Sequence, residues 1–376
     1  MNSDQIFQQT LRTLLAPIAP LLDDPDVSEI MINGPQVIFV ERAGRLSRYD
    51  GAFDSADHLL AALRNVAQYN GTLVDEQRPI LEAHLPDGSR LEAVIAPIAA
   101  TGPSVAIRRF SLAKLTLPQL IEFGALSRDA ADALVAMTLG KCNIIVAGGT
   151  GSGKTSLLNV LAGTAPAADR VLVLEDTREI QIDRDHVVYL TARKPDEHGE
   201  HGISIRDLFR ASLRMRPDRI IVGELRGAEA LDLVQATVSG HGGCLSTLHA
   251  TYPEDTMSRL ETMCMMSDLN MPIHAIRSQL SSGIDVIVQV SRLADGSRGV
   301  THITEVAGLT ATGNHYNLQH LFVREYTNSD GIQRSRLVPS GVLPTFLPRL
   351  SARGLTLPAA MHQAAIKPPA RGGDGR

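Results

Sequence analysis

Residues 148 to 155 read GGTGSGKT and lie between an apolar strand-like run, NIIVA, and a helix-like run, SLLNVLAG. Glycines let backbone N–H groups come close to phosphate oxygens, because no Cβ atom obstructs the approach. The lysine adds a positive charge, and the threonine hydroxyl can ligate Mg²⁺. This stretch therefore matches the P-loop pattern and predicts a site for the phosphates of ATP.

The loop and the first turn of the helix that follows supply the residues predicted to bind ATP and Mg²⁺. They are Gly148, Gly149, Thr150, Gly151, Ser152, Gly153, Lys154, Thr155 and Ser156. Lys154 is expected to reach the β and γ phosphates, and Thr155 is expected to ligate Mg²⁺. The alternative is a glycine-rich turn without a ligand.

Acidic residues end two other strand-like runs. VLVLEDTREI carries Glu175 and Asp176, and RIIVGELRG carries Glu224. Ligands of doubly wound sheets bind at the carboxyl ends of the strands, where a carboxylate can orient or deprotonate an attacking water. Glu175 and Glu224 are therefore predicted to be catalytic. The Gly-Glu ending, where many P-loop enzymes have an aspartate, leaves direct Mg²⁺ ligation by Glu224 open.

Two histidines flank a third strand-like run in GHGGCLSTLHA. His241 lies in the glycine-rich part, and His249 ends the run. We interpret them as a pair that couples the state of the γ phosphate to movement, and the alternative is two polar residues with structural partners. Metal binding is disfavoured, because no cysteine or third histidine lies at ligand spacing.

The elements that position these residues alternate between strand and helix from NIIVA to IDVIVQV. Such alternation predicts a mainly parallel sheet covered on both faces. The preceding segment combines helical spacing from Gln5 to Leu22, three short strands, a helix over Ala56–Gln68 and a hairpin at Asp87-Gly88. The fold class is therefore α/β, with a smaller α+β amino-terminal domain. The predicted divisions are 1–110 for that domain, 111–117 for a linker, 118–310 for the ATPase domain, 311–366 for a carboxy-terminal extension packed on it, and 367–376 for a disordered tail.

Composition excludes several classes of protein. The 376 residues are 44% hydrophobic and 20% charged, which is typical of globular proteins. A net charge of -5, an aromatic content of 4% and the absence of tryptophan disfavour a nucleic-acid partner. No signal-like amino terminus and no membrane-spanning apolar run are present, which predicts a cytoplasmic protein. The three cysteines lack CxxC spacing and are expected to be buried.

Four stretches, taken in order, resemble motifs of the type II/type IV secretion ATPase superfamily. They are GGTGSGKT for the Walker A motif, VLEDTREI for the Asp box, MRPDRIIVGELRGAEALD for the atypical Walker B motif and GHGGCLSTLHA for the His box. The resemblance covers nearly the whole chain. Four further segments look most like the CpaF/TadA branch, which drives assembly of Flp or tight-adherence pili. These segments are DPDVSEIMINGP, EAHLPDGSRLEAVIAPIAATGPSVAIRRF, SRLETMCMM and RLADGSRGVTHITEV.

The resemblance implies a RecA-like ATPase domain, a homo-hexameric ring and ATP hydrolysis coupled to pilus assembly or secretion. The partners it implies are platform proteins at the cytoplasmic face of the inner membrane. It also assigns Glu224 to the Walker B glutamate, Glu175 and Glu179 to the acidic box, and His241 and His249 to the His box. A Gly-Glu ending is normal in this family.

Three arginines, Arg90, Arg108 and Arg109, look like the amino-domain arginines that approach phosphate from the other domain or from a neighbouring chain. The alternative is a solvated charged strand face, and the choice among the three stays open. The predicted catalytic residues are thus Glu224, Glu175, Lys154, His241, His249, Arg90, Arg108 and Arg109.

Three other functions are weighed against a Flp-type pilus motor. A conjugation or effector type IV secretion ATPase shares all of this chemistry. A RecA-like nucleic-acid translocase needs a basic channel, which the composition does not favour. The third is an ATP-dependent switch or scaffold that does not hydrolyse its nucleotide, against which the carboxylates argue.

Overall fold

The computed structural model describes residues 3–42, 44–109, 115–193, 195, 200–329 and 332–366. These residues form two compact units that divide between positions 114 and 115. Most of the predicted linker and the predicted disordered tail, residues 367–376, lie outside the described residues.

The described residues of the first unit form three α-helices, a short 3-10 helix and six strands. Its elements are α1 (Ser3–Leu14), the 3-10 helix (Ala16–Ile18), α2 (Ala19–Asp23), β1 (Val27–Asn33), β2 (Ile38–Arg42), β3 (Arg45–Tyr49), α3 (Ala56–Tyr69), β4 (Ile80–His84), β5 (Arg90–Val94) and β6 (Ser104–Arg108). The amino-terminal helical segment is broken near Pro17 and Pro20, because proline has no N–H to continue a helix.

The strands of the first unit form one antiparallel sheet in the order β3-β2-β1-β6-β5-β4. Side chains alternate between buried and half-buried in β5 and between buried and exposed in β6, as expected for a sheet with one covered face. The predicted hairpin at Asp87-Gly88 is present as β4 and β5, where Leu81 lies opposite Ala93 and Ala83 opposite Leu91. All four side chains are buried in the core of the unit.

The second unit follows the predicted alternation of strands and helices. Its elements are α4 (Leu117–Glu122), α5 (Arg128–Leu139), β7 (Ile144–Gly148), α6 (Lys154–Gly163), β8 (Val171–Glu175), β9 (Val187–Thr191), α7 (Ile205–Ser212), β10 (Arg219–Val222), α8 (Glu229–Val238), β11 (Leu245–Leu248), α9 (Pro253–Met265), α10 (Ile273–Gly283), β12 (Val286–Arg292), β13 (Arg298–Leu309), β14 (Tyr316–Ser329), β15 (Ile332–Pro339), α11 (Leu347–Ser351) and α12 (Ala359–Ile366).

A nine-stranded sheet runs through this unit in the order β15-β14-β13-β12-β7-β11-β10-β8-β9. Strands β12, β7, β11, β10, β8 and β9 are parallel to one another, and β13, β14 and β15 add an antiparallel wing. The predicted α/β class is confirmed, and the sheet is mixed. It continues across the division predicted at residue 310, since β13 and β14 pair on either side of that position.

Apolar cores cover both faces of this sheet. Every residue of β7, β8, β10 and β11 is buried, which is the pattern of a parallel sheet packed on two sides. The carboxyl ends of β7, β11 and β10 therefore reach the same edge of the sheet, where polar residues can meet a ligand. Among the described residues, no helix is both long and apolar enough to cross a membrane.

Candidate active site

The glycine loop joins β7 to α6 at the carboxyl edge of the large sheet. Gly151 and Gly153 have φ angles of 68° and 95°, in the left-handed region that favours glycine. A Cβ atom on Gly148 would lie 2.4 Å from the carbonyl oxygen of Val290 in β12 and 2.5 Å from Oγ of Ser152. The fold of the loop therefore requires glycine at these positions.

The inner surface of the loop is preorganised and accessible. Oγ of Ser152 and Nζ of Lys154 donate to the carbonyl oxygen of Gly149 at 2.8 and 2.9 Å, which closes the loop on itself. Cβ atoms placed on Gly149 and Gly151 would meet no atom within 4 Å. Such a cradle, at the positive amino terminus of the ten-residue helix α6, is suited to phosphate.

Lys154, Thr155 and Ser156 form the first turn of α6. The Lys154 side chain reaches back toward the loop, and the residue is 8% exposed. Thr155 is half-buried and Ser156 is exposed. The lysine is thus held beside the cradle, with the threonine hydroxyl one residue further along the helix.

A chain of polar contacts connects Lys154 to the ends of the two neighbouring strands. Nζ of Lys154 lies 3.4 and 3.5 Å from the two ring nitrogens of His249, which directly follows β11. Nε2 of His249 lies 2.9 Å from Oε1 of Glu224, which follows β10. The structure therefore brings together three of the predicted catalytic residues, because β11 lies between β7 and β10.

The electrostatics of this chain favour a neutral histidine. Partial burial lowers the pKa of His249, and the positive charge of Lys154 lowers it further, while Glu224 acts in the opposite direction. A neutral ring that carries its proton on Nε2 donates a hydrogen bond to Glu224, and this bond fixes the orientation of the carboxylate.

Arg226 is a site residue that the sequence reasoning missed. Its Nε and Nη2 atoms donate to Oε2 of Glu224 at 3.0 and 2.6 Å, and its Nη1 lies 3.7 Å from Oδ2 of Asp176. Both oxygens of Glu224 are thus bonded, one to His249 and one to Arg226. The signal was the arginine two positions after the glutamate in GELRG.

Glu175 ends β8, and it is 4% exposed. Its Oε1 accepts from the backbone N–H groups of Glu179 and Ile180, both at 3.0 Å, and so ties the following loop to the end of the strand. Burial raises the pKa of Glu175 to about 7, against the lowering effect of those two hydrogen bonds.

The Gly-Glu ending of the Walker B-like stretch has a structural reason. A Cβ atom on Gly223 would lie 2.8 Å from Cγ of Glu175, so only glycine leaves room for this buried carboxylate. Gly223 thus lets the Glu175 side chain lie against the end of β10.

His241 is not part of the contact chain around Lys154. Strands β11 and β7 pair from Leu245 with Ile144 to Leu248 with Ala147, so His241 lies where these strands begin and His249 where they end. The histidines interpreted as a pair therefore lie at opposite edges of the sheet, because the run between them crosses it. Nδ1 of His241 is buried and has no hydrogen-bond partner among the described residues.

The three predicted arginines lie in or beside the sheet of the first unit. Arg90 pairs with Glu82 at 2.9 Å, and Arg109 pairs with Asp87 at 3.2 Å. Arg90 and Arg108 lie opposite each other in β5 and β6. Their approach to a phosphate stays a prediction.

Gln289 of β12 also bears on the site and was not predicted. Its side chain is buried in the apolar run IDVIVQV, and Nε2 donates to the carbonyl oxygen of Ala250 at 3.0 Å. Ala250 directly follows His249, so this bond fixes the backbone next to the histidine. The signal was a lone amide in an otherwise apolar strand.

Comparison with known proteins shows what this chain resembles. The family model described as type II/IV secretion system protein matches residues 12–320. The type IV secretion system protein PtlH of Bordetella pertussis is 34% identical over 305 residues, which cover 74% of this chain and 90% of that protein. A putative conjugal transfer protein of Mycobacterium tuberculosis is 31% identical over 301 residues, which cover 78% of this chain and 85% of that protein.

Among solved structures, the ATPase DotB of Legionella pneumophila has the same fold. Its TM-score is 0.55, with 20% sequence identity, and the match covers 78% of this chain and 80% of that chain.

Proposed function

Given that the chain belongs to the type II/IV secretion system protein family and is an ATPase, we propose that it hydrolyses ATP at the carboxyl edge of the large sheet to drive a secretion machine. The observation that carries the proposal is the contact chain from Lys154 through His249 to Glu224 beside an open glycine cradle. It joins the residue that holds phosphate to the carboxylate that acts on water.

The glycine loop binds the β and γ phosphates through its backbone N–H groups and the positive end of α6. Lys154 neutralises the charge that develops during phosphoryl transfer. Its Nζ already lies 2.9 Å from the Gly149 carbonyl oxygen at the loop, so little reorganisation is needed when ATP binds.

The site fits Mg²⁺ bound together with ATP. Thr155 supplies a hydroxyl at the start of α6. Glu224, connected to Lys154 through His249, supplies a carboxylate that would hold metal-bound water. Within the described ranges, no group of three or more His, Cys, Asp or Glu side chains could hold a metal ion. Mg²⁺ typically takes most of its ligands from phosphate and water. When bound, the ion supplies charge neutralisation of the phosphates.

Glu224 orients the attacking water and accepts its proton. Its two oxygens are held by His249 and Arg226, which fixes the direction of the carboxylate. Glu175 supports the site by holding the loop that begins at Asp176, and its raised pKa lets it exchange a proton near neutral pH. The predicted catalytic role of Glu175 is therefore proposed as secondary to that of Glu224.

The ring state and the location are further parts of the proposal. The family resemblance supports a homo-hexamer in which Arg90, Arg108 or Arg109 of the amino-terminal domain approaches the γ phosphate. It also supports a cytoplasmic protein docked on inner-membrane platform proteins. In such a ring, each ATP site would be completed only where neighbouring chains meet.

We propose a conjugation or effector type IV secretion machine as the one served by this ATPase. The names of the two relatives, a type IV secretion protein and a conjugal transfer protein, favour this choice. The second candidate is a Flp-type pilus motor, which rests on the four branch-like segments, among them RLADGSRGVTHITEV.

The test is the ATPase rate per chain as a function of protein concentration, with light scattering for mass, with and without single-stranded DNA. A rate that rises as hexamers form and ignores DNA supports a secretion motor. Stimulation by DNA would instead indicate a translocase, and a well-formed ring without turnover would indicate a switch.

A further inference from the structure

The hairpin formed by β12 and β13 flanks the phosphate loop on the side away from Glu224. Strand β12 runs parallel to β7, and Val290 pairs with Gly148 at the start of the loop. The chain then turns beyond the edge of the sheet, where the N–H of Leu293 donates to the carbonyl oxygen of Ser297 at 2.7 Å. Strand β13 returns from this turn beginning at Arg298. The hairpin thus brings Arg298, at the start of β13, close to the loop.

Arg298 is the residue of this hairpin that reaches the loop. A Cβ atom built on Gly153 would lie 3.7 Å from Cδ of Arg298, so the arginine stem crosses the last residue of the loop. The side chain is exposed. Across the part of the chain that the structure describes, no hydrogen bond or ion pair satisfies its guanidinium group. A positive charge therefore stands beside the cradle with its donors available.

A second arginine lies opposite Arg298 in this hairpin. Arg292 of β12 lies directly opposite Arg298 in the antiparallel pair. Like charges in opposite positions of neighbouring strands destabilise a sheet. Arg292 is partly held in place by its Nε, which donates to the carbonyl oxygen of Gly296 at 3.3 Å. Both side chains are exposed, so two positive charges belong to the strands beside this turn.

The order of the strands indicates which part of the nucleotide meets Arg298. Glu224 and His249 lie on the β11 and β10 side of β7, and Arg298 lies on the β12 side. If the γ phosphate points to Glu224, the phosphate chain must leave the loop toward β12. We propose that Arg298 binds the α phosphate of the nucleotide held by the loop. This inference rests on the proposed ATPase site and adds a binding residue to it.

Because ATP and ADP share the α phosphate, Arg298 binds both nucleotides equally well. Uniform binding of substrate and product changes affinity and leaves the chemical step unaffected. Arg298 is thus a nucleotide-binding residue with an effect distinct from that of Glu224, whose loss lowers the turnover rate.

The experiment is isothermal titration of MgADP into the full chain, together with steady-state ATPase kinetics. The variants are Arg298→Ala, Arg298→Lys and, as a matched control, Arg334→Ala, which removes an exposed arginine from the outermost antiparallel strand β15. For Arg298→Ala we expect the Kd for MgADP and the KM for ATP to rise about tenfold or more, the loss of one charge-assisted hydrogen bond. We expect kcat to stay within about twofold, since uniform binding does not affect it. Arg298→Lys keeps part of the affinity, and Arg334→Ala changes nothing.

Two results would overturn the assignment of Arg298. One is an unchanged Kd and KM in Arg298→Ala, and the other is a lowered kcat with an unchanged KM, which would place the arginine at the γ phosphate. In either case wild-type binding of MgADP would leave the proposed ATPase site standing. If the wild-type chain binds no MgADP, the proposed site and this inference fail together.

Discussion

Polar groups at the carboxyl edge of the large sheet lie beside open space, whereas several of those at its amino edge join strands to one another. At the carboxyl edge, Lys154, His249 and Glu224 line an accessible glycine cradle. At the amino edge, Oδ1 of Asp285 accepts from Arg349 and Oδ2 accepts from the N–H of Asn143, both at 2.7 Å. The same residue types thus serve a ligand at one edge and hold the fold together at the other.

The amino-edge bonds extend further through Asn143. Its Oδ1 accepts from the N–H groups of Gly243 and Cys244 at 2.9 and 3.1 Å, and its Nδ2 donates to the carbonyl oxygen of Gly283 at 2.8 Å. One side chain thereby joins the starts of β7, β11 and β12. Buried polar groups that are fully bonded specify a packing arrangement. The groups at the carboxyl edge lie beside the open glycine cradle instead. Substitutions at the two edges should therefore have separable effects on stability and turnover.

The lysines at the two ends of β7 give the largest expected contrast. Lys154→Ala should lower kcat/KM for ATP by at least about 10³-fold, because it removes the positive charge at the transferred phosphate. Lys141→Ala is the matched control at the amino edge, where Nζ donates to the carbonyl oxygen of Asp218 at 3.3 Å. It should turn over ATP at the wild-type rate. Equal losses in the two variants would remove the distinction between the edges.

Much of the carboxyl edge could be predicted from the sequence. The loop glycines and Lys154 are contiguous, and Glu224 and His249 each follow an apolar run that ends at the same edge. The coupling of His241 to His249 stays a prediction. The two histidines lie at opposite edges of the sheet, because four strand residues separate the edges, and spacing along the chain does not show which edge a residue reaches. The contribution of the β12–β13 hairpin could not be predicted. Gln289 reaches the backbone next to His249, and Arg298 reaches the phosphate loop, only through a strand order that sequence patterns do not contain.

The antiparallel wing shows the same limit. The wing joins the parallel sheet through β13, which pairs with β12 on one side and β14 on the other, and the sequence patterns did not indicate this attachment. In the helix after His249, Met257 and Met263 are buried, whereas Met265 and Met266 are exposed. The periodicity of the sequence thus predicted the strands and helices better than it predicted which strands lie next to one another in the sheet.

Glu175 should make stability depend on pH at the carboxyl edge. Burial raises its pKa to about 7 from 4.5, so the folded chain holds this proton more tightly than the unfolded chain. The stabilisation is fully present below pH 4.5 and is lost as the pH rises toward 7. Glu175→Gln keeps the Oε1 acceptor and cannot ionise. At pH 8 the variant should be more stable than wild type, by up to about 3 kcal/mol.

Thermal unfolding of Glu175→Gln and wild type at pH 5 and pH 8 checks this expectation. Glu229→Gln is the control, because Oε1 of Glu229 also accepts from two backbone N–H groups, at 2.6 and 2.8 Å. A difference in Tm between Glu175→Gln and wild type that is the same at both pH values would contradict the account.

Arg349 provides the opposite test, at the amino edge. Arg349→Ala leaves the mostly buried carboxylate of Asp285 without its cation. Burial already raises the pKa of Asp285 against the effect of Arg349, so loss of the arginine should favour the protonated form further. We expect the free energy of unfolding to fall by about 1–2 kcal/mol, since Arg349 is itself partly exposed. Urea titration measures this, and the kcat of the folded chain should match wild type. A large loss of kcat would show that the edges are coupled.

The two histidines give the smallest and finest contrast. His249→Ala should lower kcat about tenfold, the loss of one hydrogen bond that orients Glu224. His241→Ala should leave kcat unchanged, because His241 lies at the other edge. Since His249 acts as a neutral donor with a lowered pKa, turnover of wild type should fall as the pH drops below the range in which it is neutral. In His249→Ala this fall in turnover at low pH should be absent. If the fall persists in the variant, it is caused by the titration of another group.

The most direct test of hydrolysis at the carboxyl edge is the identity of the nucleotide retained by Glu224→Gln. Wild type and variant are incubated with MgATP, separated rapidly from free nucleotide and extracted for chromatography. We expect ADP on wild type and intact ATP on the variant, because Glu224→Gln keeps the cradle and Lys154 but loses the group that accepts the proton of water. ADP on both proteins at similar rates would show that Glu224 is not the catalytic carboxylate.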